Sequence, residues 1–110
     1  MRRGEIWTAA AGSGYSGKPR PVVIVQDDRF DATGSVTVCA FTTDPTEAPL
    51  IRLPVEPDER NGLRVPCSLM VDKLTSVPRS KLRERVGRLA DEDIVRLGRA
   101  IVVFLGLAGN

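Results

Sequence analysis

Arg20 is the residue in this chain most open to chemistry, because proline stands on both sides of it. A residue before proline is pushed out of the α region, so Pro21 holds Arg20 extended and Pro19 does the same for Lys18. A guanidinium on so fixed a backbone is always charged, and its planar fork matches two oxygens of a phosphate. The competing reading is an ordinary surface arginine paired with an acid. A second candidate is Thr42-Thr43, which closes the run Ser35 to Phe41. A hydroxyl there can donate to a phosphate oxygen or orient an attacking hydroxyl, or it can bond its own turn. The 110 residues contain no histidine, which removes the commonest general base and the commonest metal ligand. Cys39 and Cys67 stand apart in apolar runs and read as buried reduced thiols, so no metal-ligand spacing remains. The expected chemistry uses no metal and no cofactor.

Charge distribution says more than the formal net charge of +2. Arg79, Lys81, Arg83, Arg85 and Arg88 crowd one segment whose lone acid is Glu84, while acids gather at Asp27-Asp28, Glu56 to Glu59 and Asp91 to Asp93. Such a strip attracts a polyanion, or is simply a solvated strand face. Lys18, Lys73, Arg79 and Arg85 are candidate contacts to a nucleic-acid backbone. Tyr15, set among glycines and serines, is a candidate for stacking on bases, whereas Trp7 reads as a core anchor.

The elements that must position these residues are short. Gly4 to Ala9, Val22 to Val25, Ser35 to Phe41, Leu50 to Val55, Cys67 to Lys73 and Arg85 to Arg88 read as six strands. Ala10 to Lys18 is a loop rich in glycine and serine. Ser76-Val77-Pro78 reads as a turn, Ser80 to Arg83 as a short helical turn, and Asn61-Gly62 as a turn with positive φ angles. Ile94, Leu97, Ile101 and Leu105 recur at helical spacing behind the acids Asp91, Glu92 and Asp93, which suit a helix N-terminus. Gly98 weakens that helix by about 1 kcal/mol, so packing must hold it. The expected fold is a single domain over 1–110, mainly β with a C-terminal helix: a small β-barrel. The basic Met1-Arg2-Arg3 start leads into no apolar run and Ile101 to Leu105 is too short to span a bilayer, so a cytoplasmic chain with no membrane partner is expected.

The order of motifs resembles the MazF/PemK toxins of bacterial type II toxin–antitoxin pairs. The likeness begins at Arg3-Gly4-Glu5-Ile6-Trp7 and continues, after the glycine-rich loop, in Arg20-Pro21-Val22-Val23-Ile24-Val25. Phe41-Thr42-Thr43 stands where that family's third strand ends. Ser68 to Val77 resembles its next conserved run, and Val86-Gly87-Arg88-Leu89 with Asp91-Glu92 resembles the opening of its last helix. The resemblance implies an SH3-like barrel of the PemK/CcdB kind, a homodimer, and inhibition by the C-terminal peptide of a MazE-like antitoxin. It implies sequence-specific, metal-independent cleavage of single-stranded RNA, whether messenger, transfer or ribosomal. In such cleavage the 2′-hydroxyl attacks the adjacent phosphate, leaving a 2′,3′-cyclic phosphate and a 5′-hydroxyl end.

By that resemblance Arg20 matches the family's catalytic arginine and Thr42 its catalytic threonine, with Thr43 sharing the contact to RNA. Asp72 aligns with a carboxylate that some members place near the scissile bond, and it serves as base only if burial raises its pKa. One branch of the family has an arginine where Met70 stands, so the assignment of acid and base stays open. Two other readings remain: a non-enzymatic toxin that binds gyrase as CcdB does, and an RNA-binding barrel without catalysis.

Overall fold

The computed structural model describes residues 1–10 and 19–109. Seven strands and one helix account for most of them: β1 (Glu5–Ala9), β2 (Arg20–Ile24), β3 (Ser35–Thr42), β4 (Arg52–Val55), β5 (Cys67–Met70), β6 (Thr75–Pro78), β7 (Leu82–Arg88) and α1 (Asp91–Phe104). All pairings are antiparallel, in the order β4-β5-β3-β2-β1-β7, with β6 pairing to the far end of β3. Proline is tolerated in β4 because Pro54 lies on a sheet edge. The turn before residue 62 reaches across to the opposite edge, where Arg88 N donates to Arg60 O at 2.9 Å.

From Val22 to Ile24 strand β2 is apolar because both of its faces are buried there. Val23 joins Ile6, Cys39, Phe41 and Leu69 in the larger core, which α1 covers with Leu97. Val22 and Ile24 join Val36, Val38 and Leu82 in a second core on the other face, against which Trp7 packs. The indole is therefore a partly buried anchor, and its Nε1 donates to Glu5 Oε1 at 3.0 Å.

The mainly-β barrel with a terminal helix is what the sequence pattern predicts, with one strand more. The segment read as a turn at Ser76-Val77-Pro78 is strand β6, whose Val77 faces Val36 and whose Ser76 faces Thr37. Three polar or proline positions in four residues hide the strand, which exists because β3 is long enough to serve two partners. The fifth strand stops at Met70, since the chain then tightens into a 3-10 turn over Val71–Lys73. The short helical turn lies at Arg79–Lys81, ahead of the expected position, and β7 begins at Leu82.

At Asn61-Gly62 only the glycine takes a positive φ, +67°. Asn61 works through its side chain instead. Its Nδ2 donates to Glu56 O at 2.9 Å, and its Oδ1 accepts from Asp58 N and Leu63 N, both at 3.0 Å. The amide is buried, with 1% of the residue exposed, and every bond it makes replaces one to water. Gly98 gives Arg3 room, for a Cβ there would lie 2.9 Å from Arg3 Nη2.

Candidate active site

The register of β2 on β3 sets the site. Ile24 faces Val38 and Val22 faces Ala40, and that register, continued two residues beyond the ladder, brings Arg20 level with Thr42. Residues two apart in a strand share a face, which makes these two side chains cross-strand neighbours. Both line an open cleft of about 460 Å³, together with Thr43, Thr8 and Glu84. Phe41 and Cys67 contribute apolar lining, and the segment Gly62 to Val65 lines it as well. Arg20 is exposed and makes no ion pair among the described residues. Thr42 Oγ1 accepts the Asp44 N–H at 3.1 Å, so the residue bonds its own turn while also lining the cleft. With its oxygen engaged as acceptor, the hydroxyl keeps its own proton for donation into the cleft.

The remaining sequence candidates lie elsewhere. Asp72 sits in the 3-10 turn after β5, is ion-paired with Arg52, and does not line the cleft. Lys73 is exposed on that same turn. Arg79 spends its guanidinium internally: Nε donates to Thr33 O at 2.9 Å and Nη1 contacts Met1 Sδ at 3.3 Å. Arg85 remains half exposed while Nε bonds Glu5 Oε2 at 3.2 Å. Tyr15 and Lys18 lie outside the described residues. Three lining features went unread in the sequence: Thr8, Glu84 and the 62–65 segment. Glu84 alone had left a sign, as the single acid within the basic strip.

Three groups have titrations that matter here. Burial pushes the Cys39 thiol up to about 12 and raises that of Cys67 too, so neither offers a thiolate nucleophile near neutrality. For Glu5, burial acts to raise the pKa, yet hydrogen bonds from Arg2 N and the Trp7 indole, with Arg85 and the N-terminus nearby, outweigh it and leave the carboxyl below its ordinary value. A carboxyl lowered on folding adds stability above its unfolded pKa and loses it as pH falls through the folded value. Glu5→Gln should therefore unfold more easily than the parent at pH 7, by about 1 kcal/mol. The gap should close in acid, which denaturant titrations at pH 7 and pH 3 would measure.

With this geometry established, the chain can be set beside known proteins. The pattern of the family described as PemK-like, MazF-like toxin of type II toxin-antitoxin system matches residues 2–105. The chain belongs to that family. A PemK-like chain of this kind has a relative in Mycolicibacterium smegmatis, a probable endoribonuclease MazF, 63% identical over 109 residues that cover 99% of this chain and 100% of that one. Endoribonuclease MazF9 of Mycobacterium tuberculosis is 29% identical over 97% of this chain and 98% of its own. Among solved structures, a mycobacterial endoribonuclease in complex with its cognate antitoxin superposes with a TM-score of 0.80 at 20% identity, covering 100% of this chain and 99% of that one. The M. tuberculosis toxin MazF-mt6 gives 0.77 at 25% identity, over 93% and 96%. The PemK-like fold expected from the motifs is thus the fold observed. Among the described residues no helix is long and apolar enough to cross a membrane.

Proposed function

We propose that this chain is the toxin of a type II toxin–antitoxin pair, an endoribonuclease that cuts single-stranded RNA without a metal ion. One observation carries the reading: Arg20, with no ion pair among the described residues, and Thr42 line one open cleft of about 460 Å³. The 2′-hydroxyl attacks the neighbouring phosphorus, and negative charge accumulates on the non-bridging oxygens. Arg20 clamps those oxygens with two parallel N–H bonds, and Thr42 donates a third bond from the opposite strand. Thr43 and the exposed Lys81 and Arg83 hold the flanking backbone. Asp72 braces Arg52 and takes no proton in this scheme. The sequence offers no histidine, and among the described residues no three Cys, Asp or Glu groups converge as a metal site would need.

The surface supports a second copy of the chain as a partner. Val95, Val103, Leu105 and Leu107 are each more than half exposed on α1 and the residues after it, an apolar face suited to a second copy of the chain. The antitoxin's C-terminal peptide competes with RNA for the same protomer pair, in the cytoplasm. The test is incubation of the purified chain with long mixed-sequence RNA in excess chelator. Fragments with cyclic-phosphate ends are expected, and Thr42→Val should cut about 10–100-fold more slowly, the worth of one hydrogen bond to a charged group. Intact RNA under every condition would overturn the proposal.

A further inference from the structure

The reaction needs a group to take the proton of the 2′-hydroxyl, and neither Arg20 nor Thr42 is suited to it. Arginine stays protonated in proteins, and a threonine hydroxyl is a far weaker base than a carboxylate. Glu84 is the only carboxylate lining the Arg20 cleft among the described residues.

Its position there is built by an irregularity of the sheet. Trp7 faces Arg85 and Ala9 faces Leu82. Between those pairs β1 advances by two residues (7 to 9) while β7 runs through three (85 to 82), so Arg83 and Glu84 together oppose Thr8. This is a β-bulge, a device that re-aims a side chain and is frequent beside active sites. The bulge is pinned on both sides. Glu84 N donates to Thr8 Oγ1 at 3.1 Å, and Ala10 N donates to Lys81 O at 2.9 Å. The Glu84 side chain is exposed and has no ion pair or hydrogen bond among the described residues, although Arg83 and Arg85 flank it in sequence. Its neighbours in the strip, Lys81, Arg83 and Arg85, are all cations. A carboxylate residue kept in the cleft wall, at a bulge of the sheet, opposes RNA binding unless it has work to do.

We infer that Glu84 is the general base of the cleavage. The inference rests on the ribonuclease reading given above. The Glu84 carboxylate takes the 2′-hydroxyl proton as the 2′-oxygen bonds to phosphorus. The bond from phosphorus to the 5′-oxygen breaks, and the departing oxygen takes a proton from solvent water. Glu84 then returns its proton to water, so the enzyme is restored with no net change in charge.

The experiment compares the full chain with Glu84→Gln and Glu84→Asp. Glu84 is exposed, so both variants should melt with the parent. Single-turnover cleavage by E84Q should be about 10²-fold slower, as loss of a general base requires, with part of the rate restored in E84D. Binding of an RNA carrying a 2′-deoxy nucleotide at the cut site should be as tight as in the parent, or tighter. The acidic limb of the parent's pH–rate profile should vanish in E84Q. A substrate with sulfur replacing the bridging 5′-oxygen, which leaves without a proton, should not rescue E84Q. Parental rates in E84Q, rescue by the sulfur leaving group, or an acidic limb that persists would each overturn the assignment. A parent chain that cuts no RNA would instead overturn the ribonuclease reading itself.

Discussion

Arg20→Ala is expected to slow RNA cleavage about 10²–10³-fold, the usual cost of removing one preorganised donor from a charge-stabilising site. The loss should appear in the chemical step, because the fork acts on charge that develops as the phosphorus becomes five-coordinate. Arg20→Lys separates charge from geometry: an ammonium keeps the charge but loses the two-pronged match to phosphate, so it should fall between parent and alanine. Stability should not move, since the side chain is exposed and bonded to nothing among the described residues. Single-turnover rates in chelator, set beside thermal melts of the same preparations, make the comparison. Equal rates in Arg20→Ala and the parent would remove the residue from the chemistry.

Gly87→Ala should have the largest effect on stability. A Cβ at that position would lie 2.2 Å from Arg60 O, 2.6 Å from Asn61 C and 2.7 Å from Asn61 O. All three are backbone atoms of the turn that crosses to β7, and that turn is braced by Asp58 Oδ1 accepting from Arg60 N at 2.8 Å and Asn61 N at 2.7 Å. A braced backbone cannot yield as a flexible side chain can, so the sheet edges must part and the Arg88–Arg60 bond with them. The expected cost is about 3 kcal/mol or more, at the upper end for overpacking. For a domain of this size that lowers Tm by more than about 10 °C. Gly34→Ala, where a Cβ would meet nothing within 4 Å, is the matched control and should melt with the parent.

What the sequence made legible follows from the range of each signal. The apolar run of β2, the alternation of β3 and the helical spacing of α1 are local, and local patterning reports local structure. Arg20 drew notice because its two prolines are its immediate neighbours, and Thr42 because Phe41-Thr42-Thr43 resembles the end of the family's third strand. Strand β6 was not, since Thr75–Pro78 becomes a strand only through its ladder to β3, some forty residues away in the chain. The pairing of Asp72 with Arg52 is of the same kind: it joins two strands' ends and leaves no trace in either segment alone. Glu84 shows the limit most clearly. Its charge was visible, but its direction depends on a bulge, and a bulge is a property of two strands in register rather than of either one.

The double burial of β2 has a bearing on how the cleft stays aimed. In a strand with one wet face, a slip of one residue would expose apolar groups to water, and the penalty would be large. In β2 the slip would exchange Val22 and Ile24 for Val23 and Val25, oily groups for oily groups, so solvent gives little guidance. What holds the alignment is shape: the fit of each branched side chain in its own core, and prolines that cannot donate wherever the ladder demands an N–H. The direction of the Arg20 guanidinium is in that sense stored in the packing of four aliphatic neighbours, and a conservative exchange among them reaches the cleft without touching it.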